Sequence, residues 1–95
     1  MDDHDLAGKA LGHLVIAANA LLADPRGRHD SLIAAIECLE LQEDLAALGA
    51  IDMPAPQQNA AAALTSAVVL LHAGTHAGLR EIAERLTVIA ARVRS

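Results

Sequence analysis

Apolar residues recur at helical spacing along almost the whole chain, and their pattern divides it into three segments. In the first segment they follow one face, which predicts a helix over residues 5–23. Pro25 and Gly27 end this helix, because proline lacks an N–H donor and glycine tolerates turn geometry. The apolar face consists of Leu11, Leu14, Val15, Ala18, Leu21 and Leu22.

The second segment predicts a helix over residues 30–48, with Asp30 as its N-cap and Gly49 just beyond its C-terminus. Glu37, Glu40 and Asp44 form a polar stripe along this helix. The remaining side is broad enough to contact two neighbouring elements. It consists of Leu32, Ile36, Leu39, Leu41, Leu45 and Leu48.

The third segment covers residues 58–93 and follows a linker over residues 50–57 that contains Pro54 and Pro56. Nine positions, all but one of them apolar, recur here every three or four residues. Their mean period of 3.6 residues is that of a straight helix rather than a supercoil. They are Leu64, Val68, Leu71, Thr75, Leu79, Ile82, Leu86, Ile89 and Val93.

Two interpretations remain open at Gly74. The apolar phase continues through this residue and no proline intervenes, which favours one long C-terminal helix that is continuous or kinked. Against this, Gly74 and Gly78 each weaken a helix by about 1 kcal/mol relative to alanine, and Thr75 can cap a new helix. A break near Gly74 gives a four-helix bundle. Either way the fold class is all-α, a small antiparallel helical bundle in a single domain over residues 1–95.

Two glycine pairs indicate close packing. Gly8 and Gly12 are four residues apart, as are Gly74 and Gly78, so each pair lies on one helical face. Small residues at this spacing let another backbone approach closely. We therefore predict tight crossing points at both pairs.

The composition predicts self-association. The chain is 54% hydrophobic yet contains no Phe, Tyr or Trp. A domain of this size cannot bury all of that apolar surface in one copy, and the commonest solution is a two-fold homodimer. The predicted interface and core seam lies on the third segment and consists of Leu64, Val68, Leu71, Leu79, Ile82, Leu86 and Ile89.

The charge and the cysteine content limit the possible binding partners and the cellular compartment. Residues 1–56 carry ten acids and three bases, whereas residues 57–95 carry two acids and four bases. The net charge of -5 argues against nucleic acid and anionic membranes as partners. A lone Cys38 forms no intramolecular disulfide, and the acidic N-terminus does not resemble a signal peptide, so we expect a cytoplasmic protein. Six arginines against one lysine are typical of high-GC bacterial coding.

A membrane span is the main alternative to a buried helix for residues 53–79, which contain no Asp, Glu, Lys or Arg. The stretch is long enough to cross a bilayer. However, it includes His72 and His76, which are costly in lipid, and the chain has no interfacial aromatic residues. We therefore expect a buried helix.

His72 and His76 are the strongest candidates for chemistry. On the predicted C-terminal helix their spacing of four residues projects both imidazoles from one face, as two ligands of zinc, copper or nickel. Cys38, His13 or Glu37 would supply a third ligand from a facing helix. The alternative is a purely structural role, in which both histidines cap carbonyl groups at a helix end and Cys38 is a small core residue.

No arrangement typical of an enzyme accompanies these residues, because the sequence shows no nucleophile, base and orienting group at consistent spacing. We therefore expect a non-catalytic helical-bundle protein that acts through protein–protein association, as a homodimer with a scaffold, regulatory or accessory role. The alternative is a bundle that binds a transition metal or a small hydrophobic ligand using His72 and His76. No motif in the sequence identifies a family.

Overall fold

A computed structural model describes residues 2–24, 29–55 and 59–94. Four helices account for most of them: α1 (Asp3–Leu22), α2 (His29–Ala46), α3 (Ala60–His72) and α4 (Ala77–Arg94). The described residues contain no β-strand. The all-α prediction is therefore confirmed. The predicted turn after α1 and the end of the predicted linker fall partly on residues 25–28 and 56–58, outside the described residues.

α1 begins where the sequence supplies a cap and acidic residues. The Asp2 carboxylate accepts a hydrogen bond of 2.9 Å from the Asp5 backbone N–H, which satisfies one of the free donors at the helix start. Asp3 and Asp5 lie in the first turn, where the helix dipole favours negative charge. The helix starts two residues earlier than the pattern predicts, because Asp2 is the cap.

α2 follows the predicted span closely at its start and ends two residues early. Asp30 lies within the first turn and not at the N-cap, so that part of the prediction is wrong. At the other end the Gly49 N–H donates to the Leu45 carbonyl group at 3.0 Å and closes the last turn. Gly49 is buried, and a Cβ there would overlap the His4 carbonyl oxygen of α1. Glycine is thus required where the end of α2 meets α1.

The C-terminal region forms two helices. The favoured prediction of one long helix, continuous or kinked, is therefore wrong. α3 starts at the Asn59 cap, whose side chain accepts from the Ala62 N–H at 2.8 Å, and it ends at His72. We call residues 73–76 the break segment. The second interpretation at Gly74 is therefore the one that the structure follows. The physical reason is a tertiary contact: the Asp3 carboxylate accepts the Thr75 and His76 N–H groups, which a continuous helix would use internally.

The four helices form a closed ring in which each helix packs mainly against two neighbours. α1 packs extensively against α2 and α3, α3 packs extensively against α4, and α2 contacts α4 more lightly. With only residues 73–76 between them, α3 and α4 pack side by side as a hairpin. The break at Gly74 closes this ring, because a helix about twice as long would extend beyond α1 and α2.

The connection from α2 to α3 crosses the outer surface of α1 at the first glycine pair. The Asp52 N–H donates to the Gly8 carbonyl group at 3.1 Å. A Cβ at Gly8 would overlap the Ala50 carbonyl oxygen, and one at Gly12 would lie 2.9 Å from Cδ of Pro54. The predicted close approach at Gly8 and Gly12 is therefore found, but the approaching backbone belongs to the linker and not to a helix.

The core fills the ring with leucine layers and closely packed alanines. Ten alanines are buried, which lets the helices approach without aromatic side chains to fill wide gaps. The largest fully buried side chains are Leu14, Leu41, Leu45, Leu64, Leu71, Leu79, Leu86 and Cys38.

Candidate functional site

The two candidate metal ligands do not lie on one helix. His72 is the last residue of α3, and His76 precedes the first residue of α4, so the break segment separates them. Both side chains are exposed. His76 Nδ1 accepts a hydrogen bond of 2.9 Å from the Gly78 N–H, and so caps the start of α4. The prediction that both imidazoles project from one face of a single helix is therefore wrong.

The remaining candidate ligands lie elsewhere. Cys38 is fully buried in the core on α2, and this burial, with the charge of Glu37, raises the pKa of its thiol to about 11. A thiol with this pKa is almost entirely protonated at neutral pH, which makes it a poor nucleophile and metal ligand. Glu37 pairs with Arg92, and His13 lines a groove beside α1.

Among the described residues, no group of three or more His, Cys, Asp or Glu side chains is placed to hold a metal ion. Metal binding thus stays a prediction.

The seam predicted on the third segment lies inside a single copy. Six of its seven residues are buried, and Val68 packs partly buried against the same core. Leu71 and Leu86 are both fully buried. The seam joins α3 and α4 to the rest of the ring, so its side chains are buried without a second chain.

One contact that joins the start of α1 to the break segment was not predicted from the sequence. At the start of α1, the Asp3 carboxylate accepts three hydrogen bonds of 2.9–3.0 Å: two from the backbone and hydroxyl of Thr75, and one from the His76 backbone. These hydrogen bonds hold the pKa of Asp3 below its ordinary value, and the bonds from Thr75 have the largest effect. We call this contact the Asp3 cap. An acid at a helix start gives no sign in the sequence that it will contact residues more than seventy positions away.

Opposite charges on the two halves of the chain meet at the α2–α4 side of the ring. Arg92 Nη2 lies 2.6 Å from Glu37 Oε2, which joins the acidic half to the basic half as the charge distribution suggests. Both side chains are partly exposed, so we expect this pair to contribute at most about 1 kcal/mol.

Surface grooves lie between neighbouring elements of the ring. The groove between α3 and α4 is apolar, has a volume of about 230 Å³ and is lined by Thr65, Val68, Val69, Thr87, Ala90 and Ala91. A groove of about 350 Å³ lies between α1, the linker and α3, and there Lys9 Nζ is 3.6 Å from Asp52 Oδ2. The third, of about 340 Å³, lies between α2 and α4 and is lined by acids and Arg85, by apolar residues and by His76.

The outer face of α2 carries the most regular exposed apolar surface. Leu32, Ile36 and Leu39 are 42%, 55% and 45% exposed and are spaced four and three residues apart, so they share one face. We call these three residues the α2 stripe. Leu41 and Leu45, from the same broad apolar side of the sequence, point into the core instead. The two neighbours predicted for this side are α1 and α4, both within the chain, and the α2 stripe stays exposed beside them.

α1 is the one described helix that is long and apolar enough to cross a membrane by length and composition. Yet 56% of the relevant window is buried inside the bundle, which is the pattern of a core helix. The uncharged stretch at residues 53–79, by contrast, does not form a single long helix, because α3 ends at His72.

No protein-family model matches the chain, and neither the curated proteins nor the solved structures contain a match.

Proposed function

We propose that this protein is a non-catalytic helical bundle that acts through protein–protein association, beginning with a second copy of itself. The α2 stripe is the observation that carries the proposal. The core is filled without these three side chains, and three large aliphatic residues repeating on one exposed face are the kind of surface that a partner helix covers. A single cysteine, buried and unpaired, supports a cytoplasmic location.

The stripe suits a two-fold pairing with a second copy. If two α2 helices pack antiparallel about an axis between residues 35 and 36, Leu32 of one copy lies opposite Leu39 of the other, and both copies of Ile36 lie next to the axis. Apolar residues therefore meet at the centre of this arrangement.

The expected affinity is modest. A standard interface buries about 800 Å² on each partner, and three half-exposed side chains form only its centre. We therefore expect a dissociation constant on the order of micromolar and not nanomolar. Such an association responds to concentration, which fits a scaffold, regulatory or accessory role.

Sedimentation equilibrium of three proteins tests the proposal: the wild type, Ile36→Glu and Val88→Glu. Val88 is 58% exposed on α4, so its replacement is a matched control that adds the same charge to another face. We expect the wild type and Val88→Glu to form dimers and Ile36→Glu to stay monomeric, with helical far-UV circular dichroism in all three. Equal dimerisation of Ile36→Glu and the wild type would show that the stripe is not the interface.

The alternative function, binding a metal or a small hydrophobic ligand with His72 and His76, stays a prediction. Neither histidine lines the apolar groove between α3 and α4, whereas His76 lines the groove between α2 and α4 beside Leu48 and Ile82.

A further inference from the structure

The C-terminal region has a sequence suited to one helix and a structure with two. Nine positions from Leu64 to Val93 keep a period of 3.6 residues straight through the break segment. The poorest helix former within residues 73–76 is Gly74, and the described chain from α3 to α4 contains no proline. A continuous helix over this region would therefore still present one unbroken apolar face.

The break depends on contacts from outside the segment. Within it, the Ala73 and Gly74 N–H groups turn back to the carbonyl groups of Leu70 and Leu71 at 3.2 and 3.1 Å. The next two N–H groups, of Thr75 and His76, are accepted by the Asp3 carboxylate at the surface. When this surface contact opens, the two N–H groups can return to intrahelical acceptors at little cost.

We propose that α4 is exchanged between two copies of this chain, with residues 73–76 as the hinge. In the exchanged dimer α3 and α4 of each copy form one continuous helix, and α4 occupies the place in the other copy that it occupies in its own. Every core contact of α4, including those of Leu79 and Leu86, is recovered between copies. Only the hinge and the Asp3 cap differ between the two states.

The exchange is independent of the α2 stripe. The stripe lies on the outer face of α2, whereas the exchanged surface is the inner face of α4 and the cleft that it leaves. A dimer that forms by exchange needs the ring to open, and so it forms and dissociates slowly. A dimer through the stripe needs no opening. The two associations can therefore be tested separately.

Two hinge substitutions shift the balance in opposite directions. Gly74→Ala favours the continuous helix about fivefold at each hinge, or about thirtyfold for the two hinges of a dimer. It also disfavours the break, because the added Cβ would lie 2.6 Å from Cδ1 of Leu79. Ala77→Pro keeps the break, since proline is favourable at the first position of α4. In a continuous helix the same proline would clash with the Ala73 carbonyl group.

The experiment uses the full chain with Ile36→Glu throughout, so that association through the stripe does not contribute. Each protein is unfolded, refolded at high concentration, diluted and sized by light scattering. We expect a slowly dissociating dimer whose fraction rises at least tenfold with Gly74→Ala and disappears with Ala77→Pro. Ala77→Pro should keep the far-UV circular dichroism of a folded helical monomer.

Spin labels at Ala62→Cys and Val88→Cys identify the form of the dimer. These exposed positions are about 39 Å apart along a continuous helix and roughly 15 Å apart in the hairpin, and dilution with unlabelled protein isolates the distance within one chain. The long distance in the dimer supports the exchange. A dimer with only the short distance, a dimer fraction unaffected by Ala77→Pro, or no dimer in Gly74→Ala would each overturn it.

Discussion

Replacing Gly8 by alanine should destabilise the protein, although the same change in an ordinary helix is stabilising. Gly8 lies inside α1, where alanine is normally favoured over glycine by about 1 kcal/mol. Here the linker backbone runs directly across this position, and an added Cβ would overlap the Ala50 carbonyl oxygen. A backbone atom cannot rotate aside as a flexible side chain can, so the linker or the helix must shift.

The magnitude follows from three contributions. Overpacking typically costs about 1–3 kcal/mol. The shift also weakens the 3.1 Å bond from the Asp52 N–H to the Gly8 carbonyl group, which contributes about 1 kcal/mol. After the helix gain of about 1 kcal/mol is subtracted, the free energy of unfolding should fall by about 1–3 kcal/mol. For a domain of this size that lowers the melting temperature by roughly 5–15 °C.

Far-UV circular dichroism is the appropriate assay, because the chain has no tryptophan or tyrosine for fluorescence. Gly78→Ala is the matched control. A Cβ at Gly78 would meet the His76 ring at 3.0 and 3.1 Å, and this exposed side chain can move. Moving the ring weakens the hydrogen bond from the Gly78 N–H to His76 Nδ1, which offsets the helix gain, so we expect the melting temperature to change little. If Gly8→Ala is as stable as the wild type or more so, the linker does not cross α1 in the way described.

Two further predictions concern the break segment. Because the hydrogen bonds from Thr75 and His76 lower the pKa of Asp3, its contribution to stability is present above the unfolded value of 3.8 and is lost as the pH falls below it. Urea unfolding at a series of pH values should therefore show a steeper acid decline for the wild type than for Asp3→Asn, with Asp5→Asn as control, and parallel curves would refute the Asp3 cap. For the metal prediction, the separation of His72 from His76 leads us to expect equal zinc binding by calorimetry in the wild type and His72→Ala, whereas a clear loss in the variant would restore a site at these histidines.

The sequence predicted the first half of the fold better than the second. The spans of α1 and α2 follow from local information, namely the apolar period and the turn residues that flank them. The break at Gly74 does not, because the period continues through it and its partner, Asp3, lies at the other end of the chain. Local propensity was overridden here by a contact that no spacing rule contains.

The same limit applies to the candidate site. The spacing of His72 and His76 indicated a shared face only as long as the helix was assumed to continue. The broad apolar side of α2, in contrast, correctly indicated more apolar surface than one neighbour needs. Sequence reasoning could not divide that side into Leu41 and Leu45 inside and the α2 stripe outside, because this division depends on where α1 and α4 pack.

Methyl NMR spectra of the wild type from micromolar to millimolar concentration test whether the α2 stripe is the surface through which this protein associates. We predict concentration-dependent shifts that concentrate at the methyl groups of Leu32, Ile36 and Leu39 and leave Val88 unchanged. Spectra that are identical at all concentrations, or shifts that concentrate on α3 and α4, would contradict this proposal.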